Sequence, residues 1–187
     1  LSIDDEATLS ATSIRPVGLV NQINNPGDAA CEDGVGGNQI LLDASENKEM
    51  EEFAVEHRQE LDMTQEQILL IGVAYVHTEE RRLFKLFPNV LKIDTTTGTN
   101  NENRPLLTVT SRDSTGKVFI ILRAYLPNER AWVFKWIFQA CLPVLLGDRY
   151  MSRVKLIVTD GDSQETSQLD NAIAKFFPDC TRVRCGW

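Results

Sequence analysis

Two aspartates, Asp94 and Asp160, are the residues of this 187-residue chain whose type and placement could do chemistry. Each ends an apolar run with the composition of a buried strand, over residues 90–94 and 154–160. A carboxylate at the end of a buried strand is costly unless it is paired, hydrated or bound to a metal. If the two strands are neighbours in one sheet, the two carboxylates predict a shared divalent-cation site.

The elements around the two aspartates form a recognisable order. Asn128 and Ser163 are predicted to cap two helices, and the turn residues 113–116 predict an antiparallel hairpin. The predicted strands cover residues 89–96, 105–111, 117–126, 153–159 and 181–185, and the predicted helices cover residues 129–146 and 163–177. The order β-β-β-α-β-α-β is that of an α/β fold with an RNase H-like mixed sheet, in which an antiparallel meander is followed by parallel strands. In that fold the first and fourth strands are neighbours, which would bring Asp94 and Asp160 together.

The chain before residue 88 divides into two predicted segments. Residues 1–46 are rich in Asn, Asp, Gly and Ser and are predicted to be an acidic, poorly ordered arm, in which short apolar clusters could dock as an edge strand. Residues 47–87 are predicted to be a helical extension, with a charged helix over 46–61, a capping box at 64–67 and a short helix opening at Thr78. Residues 68–76 fit either a helix or a buried strand. The third segment, residues 88–187, is the predicted RNase H-like domain.

Composition and charge bound the class of protein. The chain is 42% hydrophobic and 25% charged, as in a soluble globular protein. Residues 1–84 carry 5 Lys and Arg against 17 Asp and Glu, whereas residues 85–187 carry 14 against 10, so the net charge of −8 hides a mildly basic C-terminal half. No apolar run reaches the roughly 20 residues that span a bilayer. We expect an intracellular protein with four reduced cysteines and no membrane association.

Six segments, in the same order along the chain, resemble the transposases of Mutator-like elements. They lie at residues 87–100, 105–109, 126–129, 158–162, 172–178 and 185–187. The resemblance implies a DDE-type catalytic core that holds two Mg²⁺ or Mn²⁺ ions between carboxylates and that cleaves and transfers DNA strands. Asp94 and Asp160 match the first two acids of that core. The resemblance also implies transposon-end DNA as partner, a homo-oligomer and a nuclear location.

Three departures from the family pattern qualify this expectation. Thr95 and Thr97 replace a glycine and an aromatic residue, the third acid of the family lies beyond the last residue, and the expected zinc-finger-like segment is not evident. We therefore expect an incomplete metal site and an inactive catalytic-core fragment. The alternative is a domesticated, non-catalytic module that binds DNA or protein. Another RNase H-like nuclease, such as an integrase or exonuclease, is a third interpretation.

Other residues fit structural roles better than chemical ones. Glu129 could be an active-site acid, but its position favours an acid in the first turn of a helix, and Asp162 lies beside a helix cap in the same way. Trp132 and Trp136 have the i, i+4 spacing of core residues on one helix. Cys185 is interpreted as a buried thiol.

Overall fold

The protein is described here by a computed structural model. The structure describes residues 19–23, 44–62, 71–160 and 166–185 of the 187. The predicted capping box at residues 64–67, the predicted cap Ser163 and the neighbouring Asp162 lie outside the described residues. None of the helices that the structure describes is long and apolar enough to cross a membrane.

Within the described residues, seven strands form one mixed sheet. They are β1 (Leu19–Ile23), β2 (Val73–His77), β3 (Val90–Thr96), β4 (Leu106–Arg112), β5 (Val118–Tyr125), β6 (Leu156–Asp160) and β7 (Thr181–Cys185), in the order β1-β2-β5-β4-β3-β6-β7. Strands β3, β4 and β5 form an antiparallel meander, and β6 and β7 continue parallel to β3. The predicted α/β fold is confirmed, and β3 and β6 are neighbours as predicted.

The helical segment after β5 differs from the predicted one. They are α1 (Ala44–Glu60), α2 (Thr78–Leu86), α3 (Ala131–Trp136), α4 (Leu142–Leu146), α5 (Asp148–Met151) and α6 (Thr166–Phe176), with a π-helical segment, Ile137–Cys141, between α3 and α4. The prediction of one regular helix capped by Asn128 is wrong. The Asn128 side-chain oxygen accepts a hydrogen bond from the Arg130 N–H at 3.0 Å, which makes a turn, so the helix begins at Ala131.

The π-helical segment has a local cause. The N–H of Leu142 donates to the carbonyl of Ile137, five residues back rather than four. Pro143 follows directly, and a proline inside a helix lacks an N–H donor and crowds the carbonyl of the preceding turn. A widened turn before Pro143 accommodates the ring without ending the helix.

One face of the sheet is buried under helices. The cross-strand register places the buried side chains of β3, β4 and β6 on one face; they include Leu91, Ile93, Leu107, Val109 and Ile157. These residues share one hydrophobic core with Trp132, Trp136, Leu145 and Ile173 from the helices. The prediction that both tryptophans are core residues is confirmed. The opposite face of β3 and β4 is half-buried or exposed.

Residues before the meander also join the sheet. Val73–His77 forms strand β2, with buried residues alternating along it. The sequence allowed either a helix or a buried strand over residues 68–76, and the described part of that segment contains the strand. Strand β1 pairs in parallel with β2, and β2 pairs antiparallel with β5. Helix α2 is capped by His77 rather than by Thr78, because the Glu80 carboxylate accepts a hydrogen bond from the His77 N–H at 3.1 Å.

Candidate functional site

The two predicted site residues lie side by side on neighbouring interior strands of the sheet. Strands β3 and β6 pair in parallel, and Ile93 and Thr159 are the last paired residues. Asp94 and Asp160 follow at the same level, on backbones about 4.8 Å apart. Since the side chains of Ile93 and Thr159 are 0% and 3% exposed in the core, those of Asp94 and Asp160 project from the opposite face. The structure therefore brings together the two carboxylates that the sequence singled out.

The two aspartates belong to a row of side chains that crosses the sheet. Asp94 pairs with Thr108 on β4, and Thr108 pairs with Arg123 on β5. On the other side, Asp160 pairs with Cys185 on β7. Asp94 is half-buried and Asp160 is exposed. The row thus has two carboxylates at its centre, with a hydroxyl group on one side and a thiol on the other.

Cys185 departs from its predicted environment. The sequence interpretation made it a buried thiol, but its side chain is half-buried. Strand β7 is the last strand of the sheet and its other four residues, 181–184, are exposed, so little covers Cys185 from that side. The interpretation is wrong because burial at an edge strand depends on what packs over it, which the local pattern does not contain.

Ser111 fixes the beginning of the strand that carries Asp94. Ser111 is 2% exposed, and its hydroxyl oxygen lies 3.0 Å from the Phe87 carbonyl oxygen and 2.8 Å from the Val90 carbonyl oxygen. Both carbonyls are acceptors, so the single hydroxyl proton is shared between them. This contact connects the end of β4 to the start of β3, four residues before Asp94.

Asn100 orders the loop that follows the strand of Asp94. Its side-chain oxygen accepts hydrogen bonds from the N–H groups of Glu102 and Arg104 at 3.1 and 3.0 Å. Its amide nitrogen donates to the Arg104 carbonyl at 2.6 Å, and the Arg104 guanidinium donates to the Ile71 carbonyl at 3.1 Å. The loop beside the carboxylates is therefore closed by one side chain and anchored to the residues that precede β2.

Arg123, at one end of the row, is held by an acid from α2. Its guanidinium lies 3.1 Å from the Glu80 carboxylate, and the two side chains are 24% and 16% exposed. The guanidinium also lies over the ring of Tyr75, 5.8 Å from its centre. Sequence reasoning missed this pair, because its members are 43 residues apart and no local pattern links them.

The remaining acids do not join the row. Glu129 lies two residues before α3, so it is not in the first helical turn as predicted. Within the described parts of the chain, no three His, Cys, Asp or Glu side chains form a group that could hold a metal ion. Two carboxylates still fit Mg²⁺, which usually takes one or two carboxylates and completes its octahedral shell with water and substrate phosphates. The exposure of Asp160 leaves room for such ligands.

A separate groove lies on the other face of the sheet. It has a volume of about 560 Å³ and is lined by residues of β6, β7 and α6, including Thr159 and Arg182, and by Cys180 just before β7. The Arg184 Nε atom donates to the Asp170 carboxylate at 2.9 Å across this groove. Neither Asp94 nor Asp160 lines it, so the groove is not part of the carboxylate site.

Comparison with known protein families identifies the family of this chain. The MULE transposase domain matches residues 90–187, just over half of the chain. The chain belongs to this family. The matched residues run from β3 through β7 and include Asp94 and Asp160, whereas β1, α1, β2 and α2 precede them. The resemblance seen in the sequence is thereby confirmed. No curated protein and no solved structure matched the chain.

Proposed function

We propose that this MULE transposase domain is a fragment of an RNase H-like, DDE-type catalytic core for DNA strand cleavage and transfer, inactive by itself, with an incomplete Mg²⁺ or Mn²⁺ site at Asp94 and Asp160. The observation that carries the proposal is the placement of these two acids on neighbouring interior strands, at one level and on one face. The strand order β5-β4-β3-β6-β7, an antiparallel meander followed by two parallel strands, supports the RNase H-like assignment. Membership in a transposase family supports DNA as the substrate.

Asp94 and Asp160 have different environments and therefore different proposed roles. Asp94 is half-buried on an interior strand whose start is held by Ser111, so the backbone that carries its carboxylate is well supported. Asp160 is exposed and can face both the cation and a DNA phosphate. Two adjacent carboxylates repel each other, and a divalent cation between them removes that repulsion. The bound cation would activate a water or a 3′-hydroxyl for attack and stabilise the leaving oxygen.

A non-catalytic binding module is the rival proposal. A domesticated transposase domain would keep the same fold and family membership while its contact with DNA or protein required no cation. Dependence on a divalent cation and on the two aspartates therefore separates the two proposals.

The test is a titration of labelled duplex DNA followed by fluorescence anisotropy, with Ca²⁺ or with EDTA. Ca²⁺ accepts the same oxygen ligands as Mg²⁺ with looser geometry. We expect Ca²⁺ to tighten DNA binding by the unmodified protein, and Asp94→Asn and Asp160→Asn to remove this gain. Asp148→Asn is the matched control, since Asp148 is an exposed acid on α5, outside the row. Equal DNA affinity with Ca²⁺ and with EDTA would contradict the catalytic proposal and favour the binding module.

A further inference from the structure

Two more cations lie on the face that carries the carboxylates. Lys92 precedes Asp94 by two residues on β3, so its side chain is on the same face, about 6.6 Å along the strand. Lys92 pairs with Thr110 on β4, and Arg112 is two residues further along β4 on this face. Such diagonal neighbours are roughly 7–8 Å apart. Asp94, Lys92 and Arg112 therefore follow one line that leads away from the carboxylate pair.

Lys92 and Arg112 are not engaged in ion pairs within the described residues. Both side chains are exposed. Arg123, on the same face, differs because Glu80 neutralises it. Between the two free cations lies Thr110, whose half-buried hydroxyl can donate a hydrogen bond. A line of cations and a hydroxyl is complementary to a chain of phosphates.

We propose that Lys92, Thr110 and Arg112 form a phosphate track that binds the backbone of the DNA strand next to the bond being cut. The inference rests on the proposed function, because the track has this meaning only if the scissile phosphate lies at Asp94 and Asp160. It adds the direction of the DNA, which would run from the carboxylates across the β3–β4 face toward the β4–β5 turn. Since the two carboxylates repel a polyanion, cations directly beside them offset that repulsion.

Removing the charge of Lys92 should change DNA affinity and cation affinity in opposite directions, which the loss of a purely structural residue would not do. Removing its charge weakens the attraction for DNA phosphates, but it also removes a repulsion felt by a divalent cation at Asp94, about 6.6 Å away along the strand. DNA affinity should therefore fall while cation affinity rises. Arg112 lies on the neighbouring strand β4 and is further from Asp94 than Lys92 is. Its removal should therefore lower DNA affinity and leave cation affinity nearly unchanged.

The experiment measures the affinity for a labelled DNA duplex at a series of salt concentrations in the presence of Ca²⁺. We expect Lys92→Gln and Arg112→Gln each to weaken binding about tenfold, the usual size of one charge-assisted contact. Each should also make the negative slope of log affinity against log salt shallower by about 0.9. Lys92→Arg should keep both values. Lys48→Gln is the matched control, because Lys48 is an exposed lysine on α1, outside this face of the sheet, that pairs with Glu52.

The outcomes separate this inference from the function on which it rests. If Lys92→Gln and Arg112→Gln bind like Lys48→Gln, while binding still needs Ca²⁺ and Asp94, the track is wrong and the proposed function stands. If DNA binding needs neither Ca²⁺ nor Asp94, the proposed function fails and the track fails with it. Each variant must keep the circular dichroism and melting temperature of the unmodified protein, which is expected for exposed side chains.

Discussion

The ion pair between Lys135 and Glu46 joins α1 to α3 and is nearly buried. The Lys135 Nζ atom lies 2.5 Å from the Glu46 carboxylate, and the two side chains are 7% and 13% exposed. Helix α1 precedes the residues that match the MULE transposase domain, whereas α3 lies within them. The pair therefore tests whether the residues before the matched domain are part of its stable fold.

Glu46→Gln should destabilise the protein by about 3 kcal/mol. Removing one partner of a buried pair costs about 3–5 kcal/mol, because the other charge stays buried without compensation. The lower end applies here, since the glutamine oxygen can still accept a hydrogen bond from Lys135. At about 2–4 °C per kcal/mol for a chain of this size, the melting temperature should fall by roughly 6–12 °C.

Urea unfolding followed by tryptophan fluorescence measures this effect directly. Trp132 and Trp136 flank Lys135 on the same helical segment and are 3% and 6% exposed, so their emission reports the packing around the pair. Adding Lys135→Met to Glu46→Gln should recover most of the loss, because methionine fills a similar volume without a charge. Glu52→Gln breaks the exposed Lys48–Glu52 pair on α1 and should cost less than about 0.5 kcal/mol. A loss of that small size for Glu46→Gln, or a failure of Lys135→Met to restore stability, would refute the reasoning.

Three further predictions concern single side chains. Ser111→Ala should cost about 1–2 kcal/mol in urea unfolding, because the Phe87 and Val90 carbonyls lose the buried hydroxyl donor that they share. The Thr115 hydroxyl holds the pKa of the Asp113 carboxyl below its usual value. The ionised Asp113 therefore stabilises the folded protein above the unfolded-state pKa, and this stabilisation is lost as the pH falls through the folded-state pKa. Asp113→Asn should make the melting temperature less sensitive to acid below about pH 4. Burial raises the pKa of the Cys141 thiol well above its usual value, and mass spectrometry should find it alkylated by iodoacetamide only after unfolding, whereas half-buried Cys185 should react in the native protein.

The meander and the two parallel strands were predictable because their information is local. Each of β3 to β6 is a short segment rich in apolar residues, β7 follows the helix-ending Pro178, and the structure places each strand within three residues of its predicted ends. The helical segment after β5 shows the limit of this reasoning. Its apolar spacing continues unbroken from Trp132 to Leu145, so the pattern gives no sign of the π-helical turn that Pro143 accompanies.

The carboxylate pair was predictable for a different reason from its surroundings. The order of the elements implies that β3 and β6 are neighbours, and that alone brings Asp94 and Asp160 together. The rest of the row depends on the register of strands that are distant along the chain. The pairing of Asp160 with Cys185 and the ion pair of Arg123 with Glu80 follow from that register and from packing, for which the sequence has no local signal.

The most direct test of the central claim is the location of a bound divalent cation. Mn²⁺, added in small amounts to ¹⁵N-labelled protein, broadens the amide signals of residues near the site where it binds. We predict broadening centred on Asp94 and Asp160 that disappears in the Asp94→Asn, Asp160→Asn double variant. The acidic surface of α1, which includes Glu51 and Glu52, is the internal control for weak, non-specific binding. Broadening centred on α1, or broadening that persists unchanged in the double variant, would contradict the account.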